Sequence, residues 1–223
     1  MNPIEQFNAE KLERIQSYAD DQSLRTQSRD WLETTMAAKY VYNFSWLGRP
    51  IIQYPQDMVA MQELIWDTRP DLIIETGIAH GGSLILSASM LALLDMADAI
   101  ANGTTLDPRQ SRRKVIGVDI DIRQHNRTAI QEHPMANRVE MIQGSSIAAE
   151  TISAVHQAAR GYERVLVCLD SMHTHDHVLA ELEAYAGLVT PGSYCVVFDT
   201  FVQDMPRDFF PDRPWNVGDN PKT

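Results

Sequence analysis

The chain has 223 residues, 44% of them hydrophobic and 22% charged, which is the composition of a folded protein with one substantial core. Its formal net charge of −11 argues against nucleic acid as a partner, because an acidic surface repels phosphate backbones. Both cysteines, Cys168 and Cys195, lie in apolar runs, so we expect reduced thiols in a cytoplasmic protein. The N-terminus has no signal-peptide pattern and no apolar run approaches membrane-spanning length, so no membrane partner is expected.

The first 55 residues are predicted to form a helical extension ahead of the main domain. Apolar side chains recur at helical spacing over residues 4–20 and again over residues 24–40. Residues 41–55 are aromatic-rich and non-periodic, which suits a lid, a subunit contact or ordinary packing. Packing or a subunit contact is favoured, because aromatic side chains usually serve cores and interfaces. The main domain is predicted to span residues 56–223.

In the main domain, short apolar runs alternate with amphipathic segments. The runs predict five buried strands, at residues 72–74, 114–121, 138–143, 164–170 and 193–199. The amphipathic segments predict five helices, at residues 56–67, 84–100, 128–133, 147–160 and 175–186. This alternation predicts an α/β fold with a doubly wound, mostly parallel, Rossmann-like sheet behind the helical extension.

A glycine-rich turn follows the first predicted strand. Gly77, Gly81 and Gly82 let the backbone turn sharply and approach a ligand closely, and Ser83 is predicted to cap the next helix. Strand, glycine turn and helix form the first half of a nucleotide-binding βαβ unit, whose ligands lie beyond the carboxyl ends of the strands. The alternative is a turn that only packs the helix on the strand.

Polar residues end the next two strands. Asp119 ends the second strand, where an acidic side chain in dinucleotide folds accepts hydrogen bonds from ribose hydroxyls, and Asp121 is the second candidate. The turn after the third strand carries Ser145 and Ser146, which could contact an adenine edge. The alternative for Asp119 is a strand-end carboxylate in water.

Asp170 and Asp199 end two strands that should be neighbours in the sheet. Two converging carboxylates suit a hard cation such as Mg²⁺. Zinc is disfavoured, because His175 and His177 are two residues apart on a helix start and no cysteine ligand is near. His173 precedes the helix, whose N-terminus disfavours imidazolium, so this side chain is a candidate proton acceptor.

Three segments together resemble the cephalosporin hydroxylase/rhamnosyl O-methyltransferase family: Glu75-Thr-Gly-Ile-Ala-His-Gly-Gly-Ser83, Leu169-Asp-Ser-Met-His-Thr-His-Asp-His-Val178 and Tyr194-Cys-Val-Val-Phe-Asp-Thr200. The tail at residues 213–222 is similar too. The resemblance implies a class I methyltransferase fold that binds S-adenosylmethionine (SAM), usually with Mg²⁺ and as an oligomer, and acts on small natural products or sugars.

The resemblance also implies roles for individual residues. It assigns the methionine part of the cofactor to the glycine turn, with Glu75, Gly77, His80, Gly81 and Ser83. It assigns the ribose to Asp119 with its neighbour Ile120, the adenine side to Ser145 and Ser146, and the metal to Asp170 and Asp199. Asp170 would also contact the cofactor.

This chain departs from the family pattern in two places, and it differs from more distant methyltransferases in a third. In the similar catechol methyltransferases a lysine base stands three residues after the first metal aspartate, where this chain has His173. Family members with a defined metal site carry an acidic pair at the fifth strand end, where this chain has Phe198-Asp199, so Asp204 or His175 would have to replace the lost ligand. The closing strands of the class are not evident before Thr223, so either a terminal segment is absent or a partner completes the sheet.

The expected function is SAM-dependent O-methylation of a hydroxyl on a small molecule, assisted by Mg²⁺, in a homo-oligomer. Asp170 and His173 are the predicted catalytic residues. Two alternatives stay open at this point. One is another reaction on the same fold, such as hydroxylation, cyclisation or hydrolysis, and the other is a scaffold subunit that has lost catalysis.

Overall fold

The structure, a computed structural model, describes residues 2–223, which divide into two compact units at Tyr40 and Val41. The first unit contains helices α1 (Pro3–Tyr18) and α2 (Gln22–Ala37). The side chain of Asn2 caps α1, and Asp21 caps α2 through a bond from the Leu24 amide. Neither helix contains a buried residue, and the large apolar side chains of α1 are exposed.

The second unit contains the remaining helices and all of the strands found in the described residues. The strands are β1 (Phe44–Trp46), β2 (Arg49–Ile51), β3 (Leu72–Thr76), β4 (Lys114–Asp119), β5 (Val139–Gln143), β6 (Val165–Leu169) and β7 (Cys195–Val197). The helices are α3 (Pro55–Thr68), α4 (Gly82–Asn102), α5 (Gln124–Gln131), α6 (Ala149–Ala158) and α7 (His175–Tyr185). Short 3₁₀ turns lie at Tyr40–Asn43, Ala136–Arg138, Ala186–Leu188 and Thr200–Asp204. Helix α5 begins four residues before the predicted start at 128.

Five of the strands form one parallel sheet in the order β5-β4-β3-β6-β7. This order places β3 at the centre, and the register sets Thr76 opposite both Val118 and Leu169. The carboxyl ends of β3, β4 and β6 therefore lie at one level. The predicted doubly wound α/β fold is confirmed. β7 is shorter than predicted because Asp199 adopts a left-handed conformation with φ of 55°, and no strand follows it in the described residues.

Helix α4 is the core helix on one face of the sheet. Its buried side chains, including Leu84, Leu91 and Leu94, pack with Ile73 and Val115 of the strands. By length and composition alone α4 could cross a membrane, which the sequence analysis did not anticipate, but the same apolar character is what burial against the sheet requires. The predicted cap is wrong: Gly81 occupies the N-cap with φ of 83°.

The aromatic segment 41–55 belongs to the second unit and contains an antiparallel hairpin of β1 and β2, which the sequence did not predict. Leu47 and Gly48 form its turn with φ of 46° and 86°. The hairpin packs on the glycine turn, since a Cβ added to Gly82 would lie 2.3 Å from the Pro50 carbonyl oxygen. Packing is therefore one role of this segment.

Gly77 joins β3 to the glycine turn at a point where no side chain fits. Its φ is 89°, and a Cβ there would lie 2.0 Å from the backbone oxygen of Asp170. Gly161 has nearly the same φ of 86°, but a Cβ there meets no atom within 4 Å. Alanine substitutions at the two positions therefore distinguish the free-energy cost of a left-handed backbone from the additional cost of a steric clash.

Gly77→Ala is expected to lower the free energy of unfolding by about 3 kcal/mol or more, because strain and clash add. Gly161→Ala should cost only about 1 kcal/mol, since it introduces the strain alone. Urea unfolding of both variants measures the difference. Equal losses would contradict the close approach of Gly77 to Asp170.

Candidate functional site

A pocket of about 290 Å³ opens at the carboxyl ends of the central strands. Side chains and backbone from the ends of β3, β4, β5 and β6 line it, together with one residue of α7 and one of the C-terminal tail: Gly77, Ala79, Val118, Asp119, Ile120, Ser145, Ser146, Asp170, Ser171, Met172, His177 and Trp215. This is where parallel sheets of this kind bind ligands. Six residues that the sequence analysis assigned to the cofactor are among them.

Asp119 ties the end of β4 to the glycine turn. Its Oδ2 accepts hydrogen bonds from the amides of Ile78, at 2.8 Å, and Ala79, at 3.2 Å. Its Oδ1 accepts a bond from the amide of Asp121 at 3.0 Å. The Asp121 side chain is exposed and faces Arg123 at 3.7 Å. Asp119 therefore lines the pocket and also holds the backbone that lines it.

A second, smaller pocket of about 40 Å³ lies between the glycine turn and the hairpin. Gly77 and Asp170 line both pockets, and His80 and Ser83 line the smaller one. The guanidinium of Arg49 in β2 donates to the His80 carbonyl at 3.0 and 2.6 Å, which fixes the turn. Gly81 is buried instead against the side chain of Ile130.

Glu75 is a buried carboxylate at the end of β3. It accepts a hydrogen bond from the Ser83 hydroxyl, so Ser83 joins β3 to α4 and does not cap the helix as predicted. Burial raises the pKa of Glu75 from 4.5 to about 7, although the Ser83 hydroxyl opposes the shift. An ionised Glu75 in this buried position would be stabilised by a cationic group of a ligand.

Asp170, His173 and Asp199 form a cluster beside the pockets. One nitrogen or oxygen atom from each lies within 4.8 Å of the others, close enough to hold one metal ion together. His173 Nε2 lies 2.8 Å from Asp199 Oδ2, and the edge of the Trp215 ring contacts the imidazole at 4.7 Å between centroids. The predicted neighbours at the ends of β6 and β7 thus lie together.

Negative charge accumulates around this cluster. The pKa of Asp170 is raised well above its ordinary value by burial and then by the nearby carboxylates of Asp199 and Glu75, while a hydrogen bond from Gln53 opposes the rise. The pKa of Asp57 is also raised, by burial first and then by Asp199. Four carboxylates that repel one another favour a bound cation.

Several residues of the site were not predicted from the sequence. Gln53 and Asp57 belong to the aromatic segment and to α3, and nothing in their local pattern pointed to Asp170. His177 was assigned to the first turn of its helix, yet it lines the larger pocket. The two substitutes suggested for the lost metal ligand lie elsewhere: Asp204 pairs with Lys222 at 2.6 Å, and the His175 amide bonds to Asp219.

The sequence model of the family described as Rhamnosyl O-methyltransferase/CmcI matches residues 38–223, which include the whole site. The chain belongs to this family. The membership confirms the resemblance seen in the glycine turn and in the segments after β6 and β7.

Rhamnosyl O-methyltransferase of Mycobacterium leprae (strain TN) is 26% identical over 169 residues, which are 75% of this chain and 65% of that protein. Rhamnosyl O-methyltransferase of Mycobacterium bovis (strain BCG / Pasteur 1173P2) is 28% identical over 154 residues, 67% of this chain and 54% of that protein. The chain therefore spans between half and two thirds of the length of these relatives.

Among solved structures, the CmcI-N160 apo-structure superposes with a TM-score of 0.50 at 19% identity. The match covers 75% of this chain and 63% of that one. This likeness concerns the fold, and it agrees with the Rossmann-like sheet of a Rhamnosyl O-methyltransferase/CmcI family member.

Glu75→Gln is expected to stabilise the protein at alkaline pH. The native chain binds the Glu75 proton more tightly than the unfolded chain does, so the stability that this proton contributes is present below pH 4.5 and is lost as the pH rises through about 7. Glutamine keeps the bond with Ser83 and stays neutral. The variant should match the wild type at about pH 4 and exceed it at pH 8.5 by about 3 kcal/mol.

Thermal or urea unfolding at the two pH values measures this difference. Asp121→Asn is the matched control, because it removes an exposed carboxylate from the neighbouring strand end. A Glu75→Gln effect that is the same at both pH values would show that Glu75 does not titrate as described.

Proposed function

We propose that the protein is a SAM-dependent O-methyltransferase that acts on a hydroxyl of a small natural product or sugar. One observation carries the proposal: Gly77 and Asp170 join a nucleoside-sized pocket to a carboxylate–imidazole cluster. A cofactor in the pocket would therefore end next to groups that can hold and deprotonate a hydroxyl. Family membership over residues 38–223 supports the same activity.

The positions of the residues support the proposed cofactor roles. Asp119 and Ile120 would contact the ribose, and Ser145 and Ser146 the adenine side, since all four line the larger pocket. The methionine end would lie by the glycine turn, where the Glu75 carboxylate can pair with its ammonium group. His80 and Ser83 line the smaller pocket there, and Gly77 allows close approach.

Bound SAM would supply an electrophilic methyl group on a positively charged sulfur. The protein must hold the acceptor hydroxyl in line with that methyl, because positioning removes much of the entropic barrier. His173 would accept the hydroxyl proton at Nδ1, because Nε2 lies 2.8 Å from Asp199 Oδ2 and donates its own proton to that oxygen. Asp199 would thus orient the imidazole and stabilise the imidazolium that forms. The Trp215 ring packs against the imidazole.

The same cluster fits a divalent cation, and Mg²⁺ is the proposed ion. The fit rests on the donor set and on charge: Asp170 and Asp199 supply hard oxygen ligands. The pKa of Asp170 is raised by burial and then by repulsion from nearby carboxylates, and a cation would relieve that repulsion. The ion would lower the pKa of the acceptor hydroxyl. His173 is assigned to the proton and the two aspartates to the metal.

The protein is further proposed to act in the cytoplasm as a homo-oligomer. Both cysteines are free thiols, which suits a reducing compartment. Apolar side chains of α1 are exposed, including Ile4, Phe7, Leu12 and Ile15, and a second copy of the chain would cover them.

Asp199→Asn is expected to lower methyl transfer at least about a hundredfold, because His173 loses the carboxylate that orients it. SAM affinity should stay within a few-fold of the wild type, since Asp199 lines neither pocket. The assay follows release of S-adenosylhomocysteine (SAH) with a panel of rhamnosides and other hydroxylated small molecules, and the product should gain one methylene in mass.

Asp204→Asn is the control, as it changes an exposed carboxylate that follows β7 but pairs with Lys222. Wild-type turnover in Asp199→Asn would remove Asp199 from the mechanism. A product that gains oxygen, or one of unchanged mass, would show that the protein catalyses another class of reaction instead of methyl transfer.

Titration with Mg²⁺ in a calorimeter tests the metal. The wild type should bind one ion, and Asp199→Asn should bind it at least about tenfold more weakly, because one of the two oxygen ligands is lost. Equal binding by the wild type and the variant would place the ion elsewhere.

A further inference from the structure

Three polar side chains at the larger pocket converge on one nitrogen atom of a fourth, the imidazole of His177. His177 Nε2 lies 3.1 Å from the Ser146 hydroxyl, 3.2 Å from the Ser171 hydroxyl and 3.4 Å from Glu181 Oε1. Ser146 follows β5, Ser171 follows β6, and the other two residues belong to α7. Three separate elements of the pocket are thus linked at a single point.

Glu181 is the unusual member of this group. Its side chain is fully buried, and Oε1 accepts a hydrogen bond from the Ser171 hydroxyl at 2.6 Å. Oε2 is buried and accepts no hydrogen bond from the described part of the chain. A buried carboxylate is costly unless a cation or several donors compensate it, and His177 is the side chain in position to do so.

Among residues 2–223, His177 is the only basic side chain within 4.0 Å of the Glu181 carboxylate. Burial, and then the carboxylate itself, raise the pKa of Tyr185 and of Cys195, so both groups stay neutral. The Tyr185 hydroxyl donates to the backbone carbonyl of Ser146. Helix α7 therefore holds the backbone of Ser146 through Tyr185 and its hydroxyl through His177.

The geometry does not fit a nucleophilic triad. In a Ser–His–acid triad the serine and the carboxylate contact different ring nitrogens, so that a proton can pass between them. Here the serines and Glu181 all face Nε2. The group is built to fix the positions of hydroxyls rather than to activate one of them.

We propose that His177 and Glu181 are positioning residues for the nucleoside half of the cofactor. The pair sets the Ser146 and Ser171 hydroxyls where the adenosine group binds, and it determines cofactor affinity rather than the rate of transfer. Ser146, Ser171 and His177 all line the larger pocket, whereas His173 and Asp199 of the cluster do not. The inference rests on the proposed function, since it takes SAM as the ligand.

The test is Glu181→Gln, with binding of SAH and of 5′-methylthioadenosine measured by calorimetry. The second probe carries the nucleoside without the amino acid. Both should bind about tenfold more weakly to the variant, by the same factor, because the loss lies in the nucleoside half. In turnover assays the KM for SAM should rise by that factor while kcat stays within about twofold of the wild type.

Glu183→Gln is the matched control, since Glu183 is exposed on the same helix. The melting temperature of Glu181→Gln should be unchanged or higher, because glutamine keeps an oxygen for the Ser171 hydroxyl and a neutral side chain is less costly to bury than a carboxylate. Weaker binding with intact stability separates a positioning role from a structural one. Ser146→Ala should weaken binding as well. The variant that carries both Glu181→Gln and Ser146→Ala should have the affinity of the single variant that binds more weakly, because both changes disrupt the same linked group.

Wild-type affinity for both probes in Glu181→Gln would overturn the inference and leave the proposed function standing. Loss of SAH binding alone would also overturn it, since the effect would then lie at the methionine end. If Glu181→Gln does not fold, Ser146→Ala decides, and undiminished binding of 5′-methylthioadenosine to that variant overturns the inference. No binding of SAH by the wild type overturns both proposals.

Discussion

The central position of β3 in the sheet is the constraint on which the site depends. Its register with β4 and β6 brings three strand ends to one level, and the chain must then turn at once to reach α4. Gly77 makes this turn against the backbone of Asp170, where any side chain would clash. The aspartates that end the neighbouring strands consequently flank the turn, with Asp119 bonded to its amides on one side and Asp170 beside it on the other.

This arrangement concentrates carboxylates in a place where water is largely excluded. The pKa values of Glu75 and Asp170 are raised, because an ionised carboxylate is less stable in this buried place than in water. Buried carboxylates lower the stability of the folded chain and raise its affinity for cations. Groups with shifted pKa values are common in binding and catalytic sites. The proposed ligands, which are the ammonium and sulfonium groups of SAM and a divalent ion, are all cationic, so the same carboxylates would serve each of them.

The fold and the strand-end acids could be predicted because their signals are local. An apolar run marks a buried parallel strand, and the residue after it falls at the edge where ligands bind. The hairpin could not be predicted, since its turn is Leu47-Gly48 rather than the usual Asn-Gly pair. Arg113 lies in a polar loop, yet it is buried against Asp95 of α4, and the role of His177 depends equally on contacts that only the folded chain creates.

Cofactor binding is the most direct test of the pocket's assignment, and a thermal shift of the full chain with SAM measures it. At a hundred times the dissociation constant, a ligand of the native state stabilises it by about 2.7 kcal/mol. For a chain of this size that is a rise of several degrees in melting temperature, and we expect it with SAM and with SAH. An unchanged melting temperature with both compounds, on folded protein, would contradict the assignment of the pocket.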